Sequence, residues 1–127
     1  MPYGISQVEW DATVKEILCV LGDRAKNMVG QETISYSDLY NQINHLIHTS
    51  PMLGPDDPRF HHMLGEVSTA ENKAGRGMLS VLVVHKTGDM KPGQGFYDLA
   101  RQLGYIFSDE DAFWIGQFNK VCRAWRA

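Results

Sequence analysis

The 127-residue chain has little thiol chemistry. Its two cysteines are Cys19 and Cys122, and no Cys-x-x-Cys pair occurs. That removes a thiolate zinc site. Each cysteine lies in a helical pattern among apolar neighbours, so both are expected to be reduced core thiols. Long apolar runs are also missing. No window reaches the ~20 residues that a membrane helix needs, so no membrane partner is expected. The opening Met-Pro-Tyr-Gly-Ile-Ser lacks the basic start and apolar stretch of a secretory signal. A cytoplasmic location follows as the expectation. The chain has no strong charge of one sign either: 12 Lys and Arg stand against 15 Asp and Glu, a net charge of -3. That balance argues against a generic polyanion binder, whose affinity comes from many phosphate contacts. No repeat, low-complexity tract or linker divides the sequence, and a single domain over 1–127 is expected.

The chain does contain a dense apolar run, Leu79 to Val84, with Gly75 and Gly77 before it. Its three valines favour a buried strand. Polarity switches at His85-Lys86, and a glycine- and proline-rich stretch follows to Phe96. This predicts a β-hairpin over 75–96 whose first arm is Ser80–Lys86 and whose return arm lies near Gly93–Phe96. Helices surround it. Ser6 and Glu9 have capping-box spacing ahead of a helix over 7–28. Ser37 reads as the cap of a second helix to about His48. Asp57-Pro58 reads as the start of a third, over 58–73, with Gly75 or Gly77 as its stop. A short helix over 96–103 and a final helix over 109–126 capped by Ser108 complete the chain. The expected fold is α+β and mostly helical.

The order helix, short strand, helix, helix, hairpin, helix is that of a winged helix-turn-helix, in which the third helix enters the major groove and the hairpin touches the backbone. Helix 58–73 would present Arg59, His62, Glu66, Thr69 and Lys73. The hairpin would add Arg76, His85, Lys86 and Lys91. These residue types read base edges and hold phosphates.

Three stretches carry a resemblance: Ile34-Ser35-Tyr36-Ser37-Asp38-Leu39, Pro58-Arg59-Phe60 and Leu82-Val83-Val84-His85-Lys86. Together, over residues 33–96, they resemble the DNA-binding lobe of alkylguanine-DNA alkyltransferases and alkyltransferase-like proteins. The resemblance implies Tyr36 as a phosphate or nucleotide contact and Arg59 as a duplex-intercalating arginine. It also matches His85-Lys86 to the His-Arg of the family's active segment. Val84 stands at the nucleophilic cysteine position and Val83 at the preceding proline, so alkyl transfer is not implied.

Two other function classes compete. An enzyme would draw on Glu66, His85 and Lys86 as a metal-dependent nuclease or phosphotransfer site. No second carboxylate accompanies them on the strand, and no nucleophile motif or Gly-Lys-Ser/Thr loop occurs. His45 and His48 lack metal-ligand spacing, and neither a metal nor a cofactor is expected. A protein-interaction module would fit the acidic balance and the aromatics Tyr97, Tyr105, Phe107 and Trp114, read here as exposed. The leading expectation is a non-catalytic, double-stranded DNA-associated protein, with a protein partner or a homodimer as the alternative.

Overall fold

A computed structural model of the chain describes residues 2–86 and 91–127. The described residues form five α-helices: α1 (Gln7–Asn27), α2 (Tyr36–Ile43), α3 (Pro58–Lys73), α4 (Gln94–Gln102) and α5 (Glu110–Arg126). Two short strands, β1 (Ile34–Ser35) and β2 (Val83–Val84), pair in parallel, with Ile34 opposite Val83 and Ser35 opposite Val84. The fold is α+β and mostly helical. No helix among the described residues is long and apolar enough to cross a membrane.

Helix starts follow local chemistry. The Ser6 hydroxyl accepts the Glu9 N–H at 3.2 Å. Glu9 does not complete the box. Its carboxylate reaches across to the N–H groups of His48 and Thr49, tying α1 to the turn after α2. The second helix starts earlier than expected because Ser35, not Ser37, caps it by accepting the Asp38 N–H at 3.0 Å. Asp57 caps α3 as read from the sequence. Asp109, in place of Ser108, caps α5 through the Ala112 N–H. Behind α3, Gly75 takes φ +86, and the Arg76 N–H bonds back to the Glu71 carbonyl at 3.1 Å. That is the left-handed stop for which glycine is suited.

α1 packs on α3 and α5. Its buried face is Trp10, Thr13, Ile17, Leu21, Gly22 and Ala25. Cys19 lies off that face and is exposed, contrary to the core position expected for it, whereas Cys122 is buried. The aromatics read as exposed also turn inward. Tyr97 is buried, and Tyr105, Phe107 and Trp114 are half-buried against the core. Phe107 stacks on Phe113 with centroids 4.1 Å apart.

The expected hairpin does not form. Leu79–Leu82 is a 3₁₀ turn, fully buried, and only Val83–Val84 is strand. The apolar run was correctly read as buried, but an apolar run by itself does not select strand geometry. The Ser80 N–H donates to Ser68 Oγ at 2.8 Å, which hooks this turn onto α3. The partner of β2 is β1, and β1 stops where Ser35 becomes a helix cap, so the ladder has two rungs. The expected return arm is instead the lead into α4. The His85 N–H donates to the Lys91 carbonyl at 2.9 Å; residues 87–90, where the tip of the expected hairpin falls, lie outside the described residues.

Candidate functional site

α3 and α4 lie side by side and run in the same sense, held together at three points. At the leading end, the Tyr36 hydroxyl oxygen accepts the Gly93 N–H at 3.0 Å, while the Tyr36 ring sits 5.5 Å from the His61 ring on α3. In the middle, Gly65 of α3 leaves Leu99 of α4 3.9 Å from where a side chain would begin. At the trailing end, the Tyr105 hydroxyl donates to Asn72 Oδ1 at 2.5 Å. Between the helices runs a groove of about 910 Å³. Its lining on α3 extends from Pro58 to Lys73, a length of about 22 Å at the helical rise. Leu64, Ala70, Phe96 and Leu99 make its apolar parts. The volume is that of a site for an organic ligand.

The parallel pairing of β1 with β2 builds the leading end. Tyr36 follows β1 directly and His85 follows β2 directly, so two paired rungs bring their rings to 5.1 Å. His61 completes a cluster of three rings around Tyr36. Burial pushes the Tyr36 phenol above its ordinary pKa, partly offset by the Gly93 N–H. The phenol therefore keeps its proton at neutral pH. Its oxygen accepts from Gly93, and its own O–H is available as a donor.

Of the residues singled out in the sequence, Tyr36, His62, Glu66, Thr69, Lys73 and His85 line this groove. Glu66 accepts the Trp10 Nε1–H at 3.0 Å, and His62 packs edge-on against Trp10 and Tyr3. The other cations lie elsewhere, each beside an acid. Arg59 is turned back on its own chain. It pairs with Asp57 at 2.6 Å and also donates to the carbonyls of Ser50 and Pro51. Its side chain is only 14% exposed, so an intercalating role would require this network to break. The hydrogen bond from Arg59 holds the Asp57 carboxyl well below the usual carboxylate range. Arg76 grips the buried Glu71 at 2.5 Å and lies over Trp125. Lys91 meets Asp111 at 2.8 Å.

Lys86 follows His85 on the chain but lines a different pocket. It sits 3.9 Å from Asp38, beside Arg24 and Thr33. Glu66 and His85 thus share the groove while Lys86 does not, and the three do not converge on one point. No cluster of three or more His, Cys, Asp or Glu suited to a metal occurs among the described residues.

Sequence reasoning passed over His61, Gly93, Gln94, Phe96, Leu99 and Gln102 as site residues. A signal for them was present. His61, Gly65 and Thr69 recur at helical spacing, and Gly93-x-Gly95 leads directly into an amphipathic helix. No protein-family model matches the chain, and no curated protein or solved structure matches it.

Proposed function

We propose that this chain is a nucleic-acid-binding domain on a winged-helix-like scaffold, and that its working surface is the groove between α3 and α4, which takes an unstacked base. The observation that carries the reading is the Tyr36–His61–His85 ring cluster at one end of a groove with apolar walls. Flat rings beside apolar surface are what a base exposed from its stack requires, and stacking on such platforms contributes about 1–3 kcal/mol per base. The three stretches that resemble the alkyltransferase lobe meet at this cluster, since Tyr36, Pro58 and His85 all line the groove. Recognition is non-catalytic, because the groove has no nucleophile motif and Lys86 is turned away from Glu66 and His85.

Laying α3 into a major groove fits less well. The outward face of α3 forms one wall of the groove and α4 forms the other, so α3 is not a free ridge. Arg59, Arg76, Lys86 and Lys91 are each beside an acid and point to different surfaces. A duplex binder needs a continuous basic stripe. The same pairing of cations with acids favours a second reading, a protein-interaction module, which predicts no oligonucleotide binding.

Fluorescence anisotropy with labelled oligonucleotides tests the proposal. Single strands, and duplexes with one unpaired base, are expected to bind more tightly than a fully paired duplex. The salt slope should correspond to about one or two phosphates. Equal binding of the paired duplex with a steep salt slope would sink the groove reading.

A further inference from the structure

The leading end of the groove has a feature that base stacking does not use. Gly93 has φ -71, a conformation open to any residue, so its lack of a side chain is not a backbone requirement. A Cβ on Gly93 would lie 3.2 Å from His85 Nε2 and 3.5 Å from the Tyr36 hydroxyl oxygen. Two side-chain polar atoms, one from α2 and one from the segment after β2, therefore lie against the side of Gly93 that carries no side chain, where a ligand can approach the backbone closely. The His61 ring stands beside Tyr36 at 5.5 Å.

This point is rich in donors and poor in acids. The Tyr36 phenol accepts the Gly93 N–H and keeps its own O–H available as a donor. The imidazoles of His85 and His61 can each donate from a ring nitrogen. Glu66 is the one carboxylate among the described residues lining the groove, and it is engaged by the Trp10 indole N–H.

We propose that the Tyr36–His85–Gly93 cradle binds a phosphoryl group, and that the strand held in the groove is recognised by its terminal phosphate. This rests on the nucleic-acid reading of the groove. A terminal phosphoryl group presents three strong acceptor oxygens, one more than a phosphodiester inside a strand. Tyr36 and His85 each offer a donor beside Gly93, and His61 adds an imidazole next to Tyr36. Donors of this kind to a charged group strengthen binding appreciably. The apolar walls of Phe96 and Leu99 then receive the base and sugar that follow.

The experiment compares short single strands carrying a 5′-phosphate, a 3′-phosphate or hydroxyls at both ends, by anisotropy, on the whole chain. Inorganic phosphate and a nucleoside monophosphate are titrated separately, following the histidine ring resonances by NMR. The variants are Gly93→Ala, which puts a methyl between His85 Nε2, the Tyr36 hydroxyl and any ligand, and His85→Gln. Their fold is checked by circular dichroism and thermal melting. One phosphorylated end is expected to bind roughly tenfold more tightly than the hydroxyl strand. Both variants should remove that difference, and His85→Gln should also weaken the hydroxyl strand, because its ring belongs to the stacking cluster.

Equal affinity for phosphorylated and hydroxyl strands would overturn the phosphoryl site and leave the groove reading standing. A preference that survives in both variants would overturn its assignment to this cradle. If no strand binds, but inorganic phosphate or the monophosphate saturates the wild type and not Gly93→Ala, the cradle stands as a site for a free phosphorylated molecule and the nucleic-acid reading falls. If nothing binds, both fall.

Discussion

The Trp125 ring of α5 occupies the space that a side chain on Gly22 of α1 would need: a Cβ there would lie 2.7 Å from the ring. The first and last helices pack through this contact. Gly22→Ala must displace the indole, and overpacking of this kind costs about 1–3 kcal/mol. The better helix propensity of alanine returns at most ~1 kcal/mol. A lower urea midpoint at unchanged m-value is expected. An unchanged or higher midpoint would mean that the ring moves freely.

Arg59 and Asp57 form a nearly buried pair that holds the 50–51 turn against the start of α3. Arg59→Ala strands the Asp57 carboxylate and is expected to cost about 3 kcal/mol. Thermal or urea unfolding reads this directly. A loss under ~1 kcal/mol would show that the network contributes little.

The same pair sets an acid dependence. The carboxyl of Asp57 is depressed in the folded chain, chiefly by the Arg59 hydrogen bond. Its contribution is therefore complete above its unfolded pKa of ~3.9 and is lost as pH falls below that value. Wild type should lose stability more steeply than Asp57→Asn between about pH 4 and pH 2. Urea midpoints across that range give the comparison, and parallel curves would refute the linkage.

Tyr36→Phe keeps the ring and removes the acceptor of the Gly93 N–H. The loss is expected to be about 1 kcal/mol of stability, with local loosening of the lead into α4. Hydrogen exchange at the Gly93 amide should accelerate. Unaltered exchange there would mean that the phenol does not anchor this segment.

His85 and Lys86, just after β2, line two different pockets. For a strand with a terminal phosphate bound in the α3–α4 groove, His85→Ala should weaken binding by at least roughly tenfold, on the scale of a hydrogen bond to a charged group. Lys86→Ala should leave binding within about twofold, because Lys86 faces Asp38 on the other side and such exposed pairs contribute little. The reverse order in a binding titration would return the working surface to the 86–91 loop.

Much of the architecture was legible along the chain because it rests on local chemistry. Ser6, Asp57 and Gly75 act within a few residues of themselves, so α1 and α3 were read almost to their ends. The buried character of Leu79–Val84 was also legible from composition. Its backbone form was not, because a short apolar run satisfies a strand and a 3₁₀ turn equally well. The same limit explains Cys19 and Tyr97, whose burial depends on which helix face meets a neighbour.

The candidate site needed the tertiary structure. Residue types alone marked Tyr36, His62, Glu66, Lys73 and His85, but they also marked Arg59, Arg76, Lys86 and Lys91. Nothing in the sequence says which cation an acid will neutralise, since Lys91 and Asp111 are 20 residues apart along the chain. The sequence by itself determined the helices, the Ser6 and Asp57 caps and the apolar material of the core, through interactions that close within one or two turns. Only the folded chain decided that β2 pairs in parallel with β1, because a two-rung ladder between residues 34 and 84 is chosen by packing of the whole core. That pairing sets Tyr36 beside His85 and opens the groove along α3.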